Sequence, residues 1–381
     1  MAKSTVVICI DGFDPEYLDA CNMPNLREIG RRGFSTIGRC MMPSVTNVNN
    51  VSILTASYPE THGICSNYWY KGEGKEAVYT ESADYILAET FFQKAARLGM
   101  DSLLATSKDK LCSLLGEGVG TAISSEAPPQ WLVHAVGVPP EIYSLKVNGW
   151  VIDAANYAMT MRPYDIVYIT TTDYAMHTYP PSHPRSQQHA SILDDAIGRL
   201  ADVHPDASIL LSADHGMSGK TRMLDVTALL SRYGIPSLAV PIIKDRYVVH
   251  HSNLGGCAYV YLDSKHSEDA VWILSSTDGI REAMSREEAA AAFKLRPDRI
   301  GDLVVTGTED VVFGDPAEVE LPTGLRSHGS TTEQNVPIFG FNGDFEGFSF
   351  SENRDLGRYV FERVLAGCPP VAGKVCATLP E

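Results

Sequence analysis

Three aspartates and two histidines stand just beyond short β-branched runs in this sequence. Asp11 follows residues 6–10, Asp173 and His177 follow residues 166–169, and Asp214 and His215 follow residues 209–211. Oxygen and nitrogen ligands of this kind suit zinc and similar divalent ions. Asp173 and His177 are four residues apart, so one helical turn brings both to one side. Asp214 and His215 are adjacent and can share an ion only from a loop, which Gly216 permits. His328, in Arg326-Ser327-His328-Gly329-Ser330, lies in a polar stretch ahead of another strand-like run. Three aspartates and three histidines suffice for two zinc ions at about three protein ligands each, with positions left for substrate. Of the other histidines, His183, His189, His204, His250 and His251 are read as surface or structural, His183 being the nearest of them to the metal pattern.

A hydrolytic two-metal site also needs a nucleophile. Residues 42–50, Met-Pro-Ser-Val-Thr-Asn-Val-Asn-Asn, precede an apolar helical pattern over 51–56. A hydroxyl at a helix start lies beside free N–H groups, and a metal lowers its pKa, which makes Thr46 the candidate. From the residues alone, Thr46 or Ser44 as an ordinary N-cap competes with that reading. Lys108 and Lys110 follow the run at 102–105. In extended chain their i, i+2 spacing puts both side chains on one side, whereas a helix start would leave them solvated.

These residues need a scaffold that brings strand ends together. Strands are expected at 6–10, 102–105, 166–169 and 209–211, and between the last two Ile192, Leu193, Ala196, Ile197 and Leu200 recur as one face of a helix. This βαβ alternation predicts an α/β fold with a largely parallel sheet, whose C-terminal strand ends converge on a ligand crevice. From about 222 to 322 the texture changes to mixed short strands and helices, including an alanine-rich run at 286–293 and a valine-rich one at 302–313. A strand at 336–341 and a helix at 356–365 return to the first pattern. The expected division is a core of 1–221 and 323–381 with an inserted α+β cap domain of 222–322. The Gly/Pro-rich tail from Gly367 is expected to be loosely held.

The formal net charge of −16 argues against nucleic acid or an anionic membrane as partner. It leaves a small anionic substrate open, since metal ions and local lysines act at short range and diffuse charge is screened over about 8 Å. Eight cysteines without a CxxC pair fit free thiols in a reducing compartment. The apolar stretch near residue 6 is too short for a signal h-region, and no run reaches membrane-spanning length, so a cytoplasmic protein is expected. The sequence leaves a homodimer open.

Residues 6–70 resemble the nucleotide pyrophosphatase/phosphodiesterase branch of the alkaline phosphatase superfamily. The likeness rests on Asp11-Gly12 after the first strand, Met23-Pro24-Asn25-Leu26, the Pro43-x-x-Thr46 segment and Tyr58-Pro59-Glu60-Thr61-His62-Gly63-Ile64. The later Asp-x-x-x-His, Asp-His-Gly-Met and Ser-His-Gly elements follow in the family's order. The resemblance implies an alkaline-phosphatase-like core and two zinc ions. One would be bound by Asp11, Thr46, Asp214 and His215, the other by Asp173, His177 and His328. Thr46 would attack phosphorus and Asn67 would hold a phosphoryl oxygen. Met-Pro-Ser-x-Thr-Asn-x-Asn-Asn, Gly-Ile-Cys-x-Asn-Tyr and Ser107-Lys108-Asp109-Lys110-Leu111 are most similar to the phosphonoacetate hydrolases. That likeness implies Lys108 and Lys110 as holders of a substrate carboxylate and cleavage of a carbon–phosphorus bond. A phosphate ester hydrolase of the same superfamily is the alternative. A metal-dependent phosphomutase, which would use serine, and a silent metal-binding module are further alternatives.

Overall fold

The β-branched runs become the middle of one seven-stranded sheet. In the computed structural model, which describes residues 3–72 and 76–366, its strands are β1 (Thr5–Cys9), β2 (Phe34–Arg39), β3 (Ser102–Thr106), β4 (Thr121–Ser124), β5 (Ile166–Thr170), β6 (Ser208–Ser212) and β7 (Asn335–Phe341). Their spatial order is β2-β7-β6-β1-β5-β3-β4. Every pair is parallel except those made by β7, which runs antiparallel to β2 and β6.

β1, β5 and β6 are buried at every residue, as strands covered on both faces must be. The two-residue period splits their side chains between two cores. Val6, Ile8, Val167, Ile169, Ile209 and Leu211 meet the helix Val147–Met161 and the helix that links β5 to β6. Val7, Cys9, Tyr168 and Leu210 meet a different layer, which includes Val48 and Val51 of α1 (Thr46–Thr55). The register fixes the site, because Cys9 stands level with both Thr170 and Ser212. The three central strands therefore end together, and Asp11, Asp173 and Asp214 leave the sheet at one edge.

Three helices complete the frame: α2 (Asp109–Leu115) after β3, α3 (Tyr174–Thr178) after β5, and the long α4 (Pro184–Val203) that returns the chain to β6. Because β5 and β6 flank β1, this crossover passes over one strand. His183 caps α4, its Nδ1 accepting the Arg185 N–H at 3.1 Å, which gives this histidine a structural role.

A second sheet is antiparallel, with strands Ser237–Pro241, Cys257–Leu262, Leu303–Gly307 and Ile280–Ser285 in that order. Val260, Ala270, Leu274 and Val305 form its own core, while Tyr259 and Val304 join the core that holds Val7 and Cys9. The expected closing helix is Asp355–Tyr359 running into a π-helical turn, Val360–Val364. The tail from Gly367, with Cys368 and Cys376, lies outside the described residues, among which the remaining six cysteines are free. Among the described residues no helix is long and apolar enough to cross a membrane.

Candidate metal centre

Asp11 leaves β1 through Gly12, whose φ of 70° favours glycine. A Cβ on Gly12 would lie 3.1 Å from the Cβ of Asp173, so the missing side chain also lets the two aspartate loops approach. Asp214 Oδ1 accepts the N–H groups of Gly12 at 3.0 Å and His215 at 2.9 Å, which locks the β6 loop against the β1 loop. Asp173 begins the turn of α3, and the helical spacing brings His177 Nε2 to 2.8 Å from Asp173 Oδ2. His328 Nε2 lies 3.7 Å from that same oxygen. All six predicted Asp and His ligands are buried at one place.

The three histidines are wired alike. Nδ1 of His177 lies 2.5 Å from the Arg326 carbonyl, that of His215 2.9 Å from the Gly216 carbonyl, and that of His328 2.7 Å from the Ser44 carbonyl. A carbonyl only accepts, so each Nδ1 carries the proton and each Nε2 keeps its lone pair, the tautomer a metal requires. Burial lowers the pKa of His215 and of His328, the neighbouring His215 adding to the effect at His328, and so favours the neutral rings. Asp11 Oδ1, Asp214 Oδ2 and His177 Nε2 are buried and make no hydrogen bond. Asp11, Asp214 and His215 place ligand atoms within one ion's reach, as do Asp173, His215 and His328. Asp11 and Asp214 fall with His215 in one such group and His177 falls with Asp173 and His250 in another, an arrangement of unpartnered lone pairs that fits divalent cations.

The carboxylates divide electrostatically. Burial, reinforced by Asp173 and Asp214, raises the pKa of Asp11, and burial takes Asp214 up to about 6. At Asp173 burial also pushes upward, but neighbouring positive charge, that of Lys108 foremost, outweighs it and holds the carboxyl well below its usual range. So much negative charge in a dry site calls for cations.

Thr46 is the first residue of α1, and its side chain does not cap the helix, since Val45 is the N-cap. The Thr46 hydroxyl oxygen is 3.4 Å from His215 Nε2, beside the Asp11, Asp214 and His215 group. Asn67 reaches the same helix end, its Oδ1 accepting the Asn47 N–H at 3.3 Å. The lysines differ from both expectations. Lys108 is the N-cap of α2 and Lys110 lies inside it, so their spacing is not that of a strand. Neither is solvated: Lys108 Nζ lies 3.2 Å from both Asp11 Oδ2 and Asp173 Oδ1, and Lys110 pairs with buried Asp245.

His250 departs from the structural or surface reading. It is buried, with Nε2 3.2 Å from Asp173 Oδ1, and with Asp173 and His177 it forms a third group able to hold an ion. His251 is likewise buried, 3.2 Å from Asp245. A histidine doublet in a segment of uncertain periodicity is the signal the sequence offered for them.

A model of the type I phosphodiesterase / nucleotide pyrophosphatase family matches residues 5–331. The chain belongs to this family, within the alkaline phosphatase superfamily. Phosphonoacetate hydrolase from Sinorhizobium meliloti 1021, solved in complex with phosphonoacetate and with phosphonoformate, is 32% identical, with a TM-score of 0.86 over 96% of each chain. Murine ectonucleotide pyrophosphatase/phosphodiesterase 5, 15% identical, shares the fold at a TM-score of 0.68 over 98% of each chain. The venom phosphodiesterase of Naja atra and rat ectonucleotide pyrophosphatase/phosphodiesterase family member 3 are each 25% identical over 56% of this chain. The match spans about a quarter of those two proteins, 26% and 24% of their lengths. The phosphodiesterase-family chain thus carries a buried Asp/His centre at its strand ends.

Proposed function

We propose that this chain is a cytoplasmic two-zinc hydrolase that converts phosphonoacetate to acetate and phosphate, with Thr46 as nucleophile. The observation that carries the reading is the trio of identically wired imidazoles facing three aspartates, beside two buried lysines. The 32% identity to a phosphonoacetate hydrolase over 96% of the chain supports the choice of substrate. Asp11, Thr46, Asp214 and His215 would hold one ion, and Asp173, His177 and His328 the other. Zinc supplies Lewis acidity for phosphonate oxygens and lowers the pKa of a hydroxyl or water.

In the reaction Thr46 Oγ1 forms a bond to phosphorus while the carbon–phosphorus bond breaks. Its electron pair leaves on the carboxymethyl carbon, which takes up a proton in exchange for the one Thr46 Oγ1 gives up, and departs as acetate. Water then cleaves the phosphothreonine, returning the hydroxyl and releasing phosphate. The N–H groups at the start of α1 other than that of Asn47 would face the phosphoryl oxygens, and Asn67 Nδ2 would be available to them because its Oδ1 accepts the Asn47 N–H. The carbon leaving group is the hard part, since its charge must spread onto the carboxylate. Lys108 and Lys110 would place positive charge where it develops, favouring the transition state over bound substrate. Lys108 has three N–H groups and two carboxylate neighbours, which leaves one for substrate. Residues 222–322 would serve as the cap, no nucleic acid or membrane partner is required, and a homodimer is compatible with the assignment.

Hydrolysis of a phosphate ester is the second reading, favoured by the family model and by the venom and rat relatives. The deciding experiment offers zinc-loaded protein phosphonoacetate, phosphonopyruvate, aminoethylphosphonate and a nitrophenyl diester, with elemental analysis of the same sample. Phosphonoacetate turnover at about two zinc per chain is expected. Turnover confined to the diester would return the chain to the phosphodiesterase reading.

A further inference from the structure

Asp173 uses its two oxygens differently. Oδ2 faces His177 Nε2 at 2.8 Å and His328 Nε2 at 3.7 Å, and Oδ1 faces Lys108 Nζ and His250 Nε2, each at 3.2 Å. An ionised carboxylate only accepts, and no carbonyl holds a proton on His250 Nδ1 as the Arg326 carbonyl does on that of His177, so the His250 proton sits on the nitrogen beside Oδ1. That is the reverse of His177, His215 and His328, in which Nδ1 carries the proton and Nε2 is the free lone pair. His250 Nδ1 is buried and meets no hydrogen-bond donor or acceptor. Its wiring is that of a donor to a ligand, although its distance alone would also place it among ligand atoms.

His250 comes from residues 242–256, which link two strands of the second sheet, and this segment is braced from within. Asp245 Oδ1 accepts the Tyr247 N–H at 2.7 Å and lies 3.2 Å from His251 Nε2. The Asp245 N–H donates to Asn253 Oδ1 at 3.1 Å, and the Asn253 N–H donates to His251 Nδ1 at 2.9 Å. Asp245 also pairs with Lys110, so the loop is pinned to α2 at one point and reaches Asp173 at another.

We infer that His250 is a positioning residue of the metal centre, whose Nε2–H holds Asp173 so that Oδ2 points at the ion shared with His177 and His328. Hydrogen-bond partners of metal-ligating carboxylates orient them, and losing one typically costs about 10–100-fold in metal affinity or activity. The second sheet then contributes to metal binding, and a metal ion in turn holds the loop down. The inference rests on the two-metal reading above.

The test is a zinc titration against a chromophoric chelator, with wild-type, His250→Ala and His250→Gln, and with circular dichroism of each metal-free protein as the check on fold. Gln retains an N–H donor near the place of Nε2. His250→Ala is expected to weaken one of the two zinc ions by about 10–100-fold and leave the other unchanged, whereas His250→Gln stays within a few-fold of wild type. Wild-type affinities at both ions in His250→Ala would overturn the inference while leaving the two-metal reading standing. Equal weakening in Ala and Gln would overturn the donor role. Wild-type protein that takes up no second zinc would overturn the two-metal reading, and this inference with it.

Discussion

His62 and His215 are both fully buried imidazoles, and they are wired in opposite senses. His62 Nδ1 accepts the Ile64 N–H at 3.1 Å and its Nε2 meets the Ser52 hydroxyl at 2.8 Å, so both nitrogens are spent inside the protein. His215 gives its Nδ1 proton to the Gly216 carbonyl and turns Nε2 toward Asp11 and Asp214 at 3.4 and 3.5 Å. The same contrast separates larger regions. In the knot of Lys220, Glu333 and Ser218, Lys220 Nζ lies 3.0 Å from Glu333, whose carboxylate also takes Ser218 and the Ser330 N–H. At the strand ends, Asp11 Oδ1, Asp214 Oδ2 and His177 Nε2 have no such partner. Buried polarity that is closed on itself supports the fold, and buried polarity left open marks where something binds.

Substitution can break this division. The largest effect is expected at Thr46→Ala, which removes the covalent step and should cut turnover by roughly 10³- to 10⁶-fold while zinc content and urea midpoint stay near wild type. Near-wild-type turnover would mean that water, not Thr46, attacks phosphorus. In the closed region Lys220→Met strands the Glu333 charge and should cost about 3–5 kcal/mol in urea unfolding, with the folded fraction keeping its zinc and its kcat. A folded Lys220→Met protein devoid of activity would erase the distinction between the two regions.

The lysines sharpen it. Lys110 touches neither Asp11 nor Asp173, so Lys110→Met should lower kcat/KM for phosphonoacetate by about 10–100-fold, the worth of one charge-assisted hydrogen bond of roughly 1.5–3 kcal/mol, and spare a nitrophenyl ester. Lys108 lies against both carboxylates, so Lys108→Met should depress both substrates together. A Lys110→Met enzyme equally impaired on both would remove its carboxylate role. The most gradual effect is the pH response of His62. Burial takes its pKa from 6.5 to about 3, so the unfolded chain binds the proton first as pH falls. Stability should therefore drop by up to about 1.4 kcal/mol per unit between about pH 6.5 and 3 and level off below, and His62→Gln should flatten that part of the urea-midpoint profile.

Much of the centre was legible because it is written in local pattern. A β-branched run ending in Asp, an i, i+4 pair and an Asp-His doublet each name a strand end or a turn, and parallel register brings such ends level. The state of Lys108 and Lys110 was not legible. Their spacing fits a strand or a solvated helix start, and what buries them is Asp11, Asp173 and Asp245, distant in sequence. His250 was missed for the same reason, since only packing of the second sheet brings it to Asp173. His183, close to the metal pattern in sequence, spends its Nδ1 on capping α4.

β7 lies between β2 and β6, although it is the last strand of the sheet to be made. While the ribosome is still adding residues before 335, β6 has an open edge on one side and β2 has no partner in the sheet. The nascent chain therefore carries an exposed strand edge of the kind that pairs with neighbouring chains. His328 precedes β7 by only a few residues, so the same late stretch of translation that closes this edge also supplies the last of the six Asp and His side chains. A chain cut short before that point lacks His328 and leaves the β6 edge unpaired, so it is expected to be both inert and prone to aggregate.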